Sequence, residues 1–286
     1  MKTLCVDLGG SRVKLALMTA DSHPQPDVFE VDSRAPLAQT LSLVAQHAAA
    51  WGLPEAVSIA LPCVVCRGTV IACNGKYTDA VGFDWARWSQ KTFGAPVFLM
   101  NDAAAALLGE MRCGRARGFA NAALIALGTG LGFACCLDGE VQYAPTGSPR
   151  ITVYKKPFRD GILEDYVAKR GFLRLYGEIT GQDTGPSLTV ADLGRMAGEG
   201  NPAARETFAT IGRMLGEALR ELIRKERIEC LLLGGQISRS YVYLEPGLRK
   251  GLYGTACLRS IAPAAHIGHA AFYGLLARLD NLRPET

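Results

Sequence analysis

The residues of this sequence best suited to chemistry lie in two short glycine turns and at one acidic strand end. Asp7-Leu8-Gly9-Gly10-Ser11 separates two alternating apolar stretches, Thr3–Asp7 and Val13–Met18. Paired glycines let backbone N–H groups approach a phosphate closely, Ser11 adds a hydroxyl donor, and Asp7 can hold a hydrated magnesium ion. The same residues suit an ordinary β-hairpin whose turn uses glycine's freedom to take positive φ. Gly128-Thr129-Gly130, between Ala122–Leu127 and Leu131–Leu137, has the same chemistry and the same plainer alternative. Two such hairpins, each heading one half of the chain, make coincidence a poorer explanation than either would alone.

A third feature is Asn101-Asp102, which ends the strand predicted at Pro96–Met100 and opens the alanine-rich helix Ala103–Met111. A carboxylate there can accept the proton of an attacking hydroxyl, or can serve as a helix cap. Gly234-Gly235 follows Leu231-Leu232-Leu233 and leaves room for a flat ligand such as an adenine ring at the start of the next helix. A simple strand-to-helix turn would use the same pair.

The elements that must position these residues follow from periodicity. In the first half, a strand Val28–Val31 and a helix Pro36–Trp51 precede a buried strand Ala56–Leu61, an irregular stretch through Asn74, and a helix about Asp84–Phe93. The second half restarts the same grammar from Ala122, with a short strand Val141–Tyr143 and helices about Gly161–Tyr176, Val190–Gly198 and Pro202–Lys225. A strand Cys230–Leu233 and a last helix Gly268–Leu279 follow. The expected division is 1–115 and 116–267, with Cys113–Gly118 as the hinge and the helix at about 268–286 packing back on the first domain.

At 286 residues, with 49% hydrophobic and 20% charged residues, the chain can bury large cores. A net charge of +4 with scattered Lys and Arg offers no stripe for nucleic acid. No run is long enough to span a membrane, and the first strand begins at Thr3, so a cytoplasmic protein without a signal sequence is expected. The nine cysteines are expected to be reduced, buried thiols. Cys63 and Cys66 have the spacing of a redox or zinc knuckle, yet their valines and the following Arg-Gly read as a strand entering a turn.

Taken in order, these motifs resemble the actin-like ATPase superfamily, and more closely its ROK family of sugar kinases and repressors. Asp7–Ser11 is similar to the family's first phosphate motif, Asn101-Asp102-Ala103 with Gly109-Glu110 to its catalytic segment, Leu127–Gly132 to its second phosphate motif, and Leu233–Ser238 to its adenosine motif. Asn74 and Asp84–Trp88 resemble the stretch before the catalytic strand. The resemblance implies an α/β fold of two ribonuclease H-like domains with a cleft between them. It also implies a homodimer, and phosphoryl transfer from ATP with magnesium to a hydroxyl of a hexose, amino sugar or N-acyl sugar. Asp102 would be the base. Asn101, Asn74 and Glu164 would bind the sugar, and Asp7, Gly9, Gly10, Ser11, Lys14, Gly128, Thr129, Gly130, Gly234 and Gly235 the nucleotide, with Asp7 holding magnesium through water.

Two departures bear on the acceptor. Where the family has Glu-x-Gly-His, this sequence reads Gly147-Ser148-Pro149-Arg150-Ile151, and between Ile151 and Glu164 there is no cysteine for the family's zinc loop. No structural zinc is expected. Glu164 in Leu163-Glu164-Asp165-Tyr166 resembles the sugar-binding glutamate after that loop and also reads as an exposed helical glutamate. Lys155, Lys156 and Arg159 suit an anionic substrate, a polyphosphate donor or a solvated basic loop. The alternative function is a nucleotide- or sugar-binding regulator that no longer performs chemistry. A repressor is disfavoured because the first phosphate motif leaves no room for a helix-turn-helix before Asp7. A chaperone-like ATPase is disfavoured by the compact length.

Overall fold

The computed structural model describes residues 1–10, 12–19, 23–32, 34–73, 76–147, 149–183, 185 and 187–280. In chain order the principal elements begin with β1 (Thr3–Leu8), β2 (Arg12–Met18), β3 (Asp27–Glu30), α1 (Leu37–Ala48), β4 (Ala56–Leu61), β5 (Cys63–Cys66), β6 (Thr69–Cys73), α2 (Trp85–Phe93), β7 (Val97–Asn101) and α3 (Asp102–Cys113). There follow β8 (Ala122–Leu127), β9 (Leu131–Leu137), β10 (Glu140–Val141), β11 (Pro157–Phe158), β12 (Gly161–Ile162), α4 (Leu163–Val167), α5 (Lys169–Thr180), α6 (Val190–Gly198) and α7 (Pro202–Lys225). The last are β13 (Cys230–Gly234), α8 (Tyr241–Gly251), β14 (Ser260–Pro263) and α9 (Ala270–Asp280). They form two compact units: Met1–Arg117 with Val141–Arg150 and the residues from His269 onward, and Gly118–Glu140 with Ile151–Gly268.

In the first unit the sheet order is β3-β2-β1-β4-β7. β1 runs antiparallel to β2 and parallel to β4, which is parallel to β7. Central strands covered on both faces should be apolar throughout, and β4 (AVSIAL) is buried at every position. Edge strand β3 instead alternates between half-buried and exposed residues. Helix α1 buries Leu37, Leu41, Val44 and Ala48 on one stripe, and α2 is capped by Asp84, which accepts from the Arg87 N–H, and closed by left-handed Gly94.

The second unit repeats the order as β10-β9-β8-β13-β14, again three antiparallel strands followed by parallel ones. Its longest helix, α7, starts with Asn201 as cap and Pro202 in the first turn, a pairing that suits a helix start because proline's missing N–H is not needed there. Gly212 and Gly216 of α7 face Gly247 and Gly251 of α8 so closely that a Cβ at Gly247 would overlap the Ala209 carbonyl oxygen.

Several expectations are corrected. The stretch expected to be irregular before Asn74 is the β5–β6 hairpin, turned by left-handed Arg67 and Gly68. The helix expected from Gly161 is broken, because Gly161-Ile162 pairs with Pro157-Phe158 and Ala168 is extended between α4 and α5. The reduced-thiol reading fails at Cys63 and Cys73, which form a disulfide across β5 and β6 with Cα atoms 4.4 Å apart. They face each other in register, and close cross-strand pairs of this kind bring the two Sγ atoms within bonding reach. Cys135 and Cys136 are buried and take no part in that disulfide. The glycine turns also work differently from expectation: Gly9, Gly10, Gly128 and Gly130 all avoid left-handed φ.

Candidate active site

The parallel strands of the first unit end side by side, and their carboxyl ends gather the charged groups. The register sets Asp7 beside Ala60 and Asn101 beside Leu61, so β1 and β7 flank β4 with Asp7 and Asn101 at the same edge, and Asp102 follows directly in α3. Ligands of open α/β sheets collect at such an edge. Asp7 is also paired in register with Lys14 of β2, and Lys14 Nζ donates to Asp7 Oδ2 at 2.7 Å. The two side chains are only 18% and 16% exposed.

Asn101 is the cap of α3: its Oδ1 accepts from the Ala104 N–H at 3.2 Å, and its Nδ2 donates to the Cys63 carbonyl at 3.3 Å. Because the neighbouring asparagine does the capping, Asp102 is the first helical residue, and its Oδ1 accepts from the adjacent Ala103 N–H. Burial pushes the Asp102 pKa up to about 6, and the nearby Asp7 carboxylate adds to the rise. The N–H groups at the helix start and Lys14 pull the other way. Asp7, Lys14 and Asp102 thus share one field.

The first glycine turn is held by a residue the sequence did not single out. Tyr77, buried and left-handed, donates its hydroxyl to the Gly9 carbonyl at 3.0 Å. Burial raises its pKa. Gly9 is required by crowding, since a Cβ there would come within 2.5 Å of the Arg12 carbonyl oxygen, whereas Gly10 faces open space. The N–H of Gly9 is spent on the Asp7 carbonyl. Ser11 and Asn74, both named as candidates from the sequence, lie outside the described residues. Lys76 Nζ, two residues beyond Asn74, is buried without a hydrogen-bond partner among the described residues, and desolvation lowers its pKa against the pull of Asp32. Gly147 takes φ +80° and sits against β5, where a Cβ would overlap the Val65 carbonyl oxygen.

In the second unit, Gly128 donates to the Gly130 carbonyl at 3.1 Å, closing the turn under an exposed Thr129. Glu164 is not a free helical carboxylate: its Oε2 accepts from the Leu131 N–H at 2.8 Å, and a Cβ at Gly130 would meet the same oxygen at 2.8 Å. Gly235 has φ +80° and a Cβ there would overlap the Leu127 carbonyl oxygen, so the adenosine-like turn lies against the end of β8. Ser238 donates to the Gly234 carbonyl at 2.6 Å. Among the described residues no three His, Cys, Asp or Glu side chains cluster as metal ligands, and no helix is long and apolar enough to cross a membrane.

The chain can be compared with known proteins on this geometry. It is 28% identical over 262 residues to an N-acetylgalactosamine kinase of a Shewanella strain, an alignment spanning 82% of this chain and 81% of the relative. It is 23% identical over 257 residues to an N-acetylmannosamine kinase of Shigella boydii, with 85% and 86% coverage. A ROK family glucokinase from Streptomyces griseus, solved with glucose and AMPPNP, superposes with a TM-score of 0.80 at 20% identity, over 97% of this chain and 99% of that one. The fold is therefore that of the actin-like sugar kinases. The ROK family model itself matches residues 3–150, the span that holds the first glycine turn, Lys14, Asp102 and the second turn, and the chain belongs to the ROK family.

Proposed function

We propose that this chain is an ATP-dependent sugar kinase that transfers the γ-phosphoryl group to a hydroxyl of a hexose or of an amino or N-acyl sugar. The observation that carries the reading is Asp102, a carboxylate released from capping and raised toward neutral pH beside Asp7 and Lys14. In the reaction the acceptor oxygen bonds to the γ-phosphorus as the bond to the β–γ bridging oxygen breaks. The hydroxyl proton passes to Asp102, and ADP leaves with the electron pair. Gly9 and Gly128, whose N–H groups are committed within their turns, would shape the two glycine turns, the remaining backbone N–H groups there would position the phosphates, and Gly234-Gly235 the adenine. Asp7 is a hard oxygen donor with one oxygen committed to Lys14, a set that suits magnesium held through its own waters. Magnesium, when bound, would supply positive charge to the donor phosphates. The kinases of N-acetylated amino sugars among the relatives support that acceptor class. Asn101, with one amide hydrogen left, Asn74 and Glu164 are the proposed sugar contacts, and a cytoplasmic homodimer goes with the reading.

The test is magnesium-ATP turnover against a panel of hexoses, amino sugars and N-acyl sugars, with Asp102→Asn as the control. Loss of the base should lower kcat by about a hundredfold or more. If no sugar stimulates ADP release, or if the variant turns over as fast as the wild type, the reading fails. A second reading, a nucleotide- or sugar-binding regulator, is favoured by Gly147–Ile151, which lacks the family's glutamate and histidine. It requires ligand-induced stabilisation without turnover, seen as a melting shift alone.

A further inference from the structure

The Cys63–Cys73 disulfide joins the first residue of β5 to the last of β6, and so fastens the open end of that hairpin. The ladder between them is short. Its strands have four and five residues, their register shifts between Val64 and Val65, and a two-stranded hairpin of this size is marginal in water. Both fastened ends serve the candidate site. The Cys63 carbonyl accepts from Asn101 Nδ2, the side chain that caps the helix of Asp102. Just beyond Cys73, Tyr77 holds the Gly9 carbonyl of the first glycine turn. Gly147 lies against the backbone of Val65 and Cys66, so the segment with the altered acceptor residues rests on the same hairpin.

The pair is also placed for thiol chemistry. Cys63 is 3% exposed and Cys73 is half-buried, which leaves the Cys73 sulfur as the one an incoming thiolate can reach. That sulfur lies 3.5 Å from the Lys76 carbonyl oxygen and 3.7 Å from the Pro62 carbonyl oxygen, so a thiol formed there has acceptors at hand. Cys66, the hairpin's third cysteine, takes no part in the disulfide, and its Sγ faces the Pro145 carbonyl at 3.9 Å. Disulfides that form among reducing cellular thiols are usually transient or redox-sensing.

We propose that Cys63–Cys73 is a reversible redox site that controls how well the candidate active site is ordered. Closed, it holds Asn101 and Tyr77 in place; opened by a dithiol reductant, it loosens both. The reductant's thiolate attacks Cys73 Sγ, the S–S bond breaks, and the electron pair leaves on Cys63 Sγ, which takes a proton. The second thiolate of the reductant then attacks the mixed disulfide at the reductant's own sulfur and releases Cys73 as a thiol. Two electrons and two protons have passed to the protein, and the reductant is left as a disulfide. The thiol chemistry is independent of the kinase reading, while its effect on turnover rests on that reading.

The test compares wild type reduced with dithiothreitol and wild type reoxidised with oxidised glutathione, by iodoacetamide labelling with peptide mapping, melting curves and kcat/KM for a sugar that supports turnover. Cys63 and Cys73 should take label only in the reduced form, which should melt lower and show kcat/KM reduced by about tenfold, recovered on reoxidation. Cys63→Ser/Cys73→Ser keeps the backbone carbonyl at position 63 and should match the reduced wild type under both conditions, whereas Cys66→Ser should respond as the wild type does. Cys63 and Cys73 that stay open to label after oxidation overturn the proposal, and so does a reduced form that turns over as fast as the oxidised one. A double variant as active as the oxidised wild type, or a Cys66→Ser variant that no longer responds, overturns it too. If no sugar supports turnover in either form, the kinase reading fails, and the melting shift given by ATP then decides the switch. A smaller shift in the reduced form supports it, and an equal shift overturns it.

Discussion

An acid–base group works best when its pKa lies near the working pH, because it is then both available in the right form and strong enough to take a proton. Asp102 has moved that way, from 3.8 to about 6, through burial first and the Asp7 charge second. As the proposed base, Asp102 would act when ionised, so kcat/KM should rise with pH, pass half-maximum near 6 in the free enzyme and level off above it, which a pH profile from 4.5 to 8 would check. The same shift bears on stability with the opposite preference. A carboxyl whose pKa is raised on folding favours the protonated form, so the folded state carries the full cost above the folded pKa and none below the unfolded value. Asp102→Asn should therefore melt higher at pH 7, by on the order of 1–2 kcal/mol, with the gain fading as the pH falls to 4. Asp102 was readable because a strand end followed by an alanine-rich helix is an unmistakable pattern. Its freedom from capping was not, since either Asn101 or Asp102 could fill that role by type, and only backbone geometry gives it to Asn101.

Among elements, the β1–β2 hairpin depends on a residue sixty-odd positions away in the chain. Tyr77 closes on the Gly9 carbonyl, and its removal leaves that acceptor without its partner. Tyr77→Phe should cost about 1 kcal/mol of stability and raise the KM for ATP several-fold with a smaller change in kcat, which steady-state kinetics with varied ATP would separate. No sequence pattern announces such a bond, because it joins distant segments through one hydroxyl. The β5–β6 hairpin was half legible. Cys63–Cys66 with the following Arg-Gly read as a strand entering a turn, but the return strand β6 mixes buried and exposed residues without clear alternation, and with it went the Cys63–Cys73 pairing. By contrast the glycine hairpins, β4, α2 and α7 were legible, since each has a long period and recognisable ends, such as Asp84 before α2 and Asn201-Pro202 before α7.

At the scale of the molecule, each unit repeats one sheet order, and that recurrence was visible as two glycine hairpins each opening a half. The first unit is completed by α9, which packs backbone to backbone on α3. A Cβ at Gly109 would overlap the Ala270 carbonyl oxygen, and one at Gly274 the Ala105 carbonyl oxygen. Gly274→Val should force the helices apart and lower stability by about 2–3 kcal/mol or more, read as a shift in the urea midpoint. It should also lower kcat, because Asp102 stands at the start of the displaced α3. The partnership of α3 with α9 has a further consequence for how the protein is made. Residues leave the ribosome in order, and every residue of the second unit emerges before α9 does. The helix that carries Asp102 therefore waits, one glycine face uncovered, until α9 has emerged, and the second unit is free to finish folding first. Settling of Asp102, the proposed base, is thus coupled to the emergence of α9, and a nascent polypeptide halted before Ala270 would carry both glycine turns without a settled Asp102.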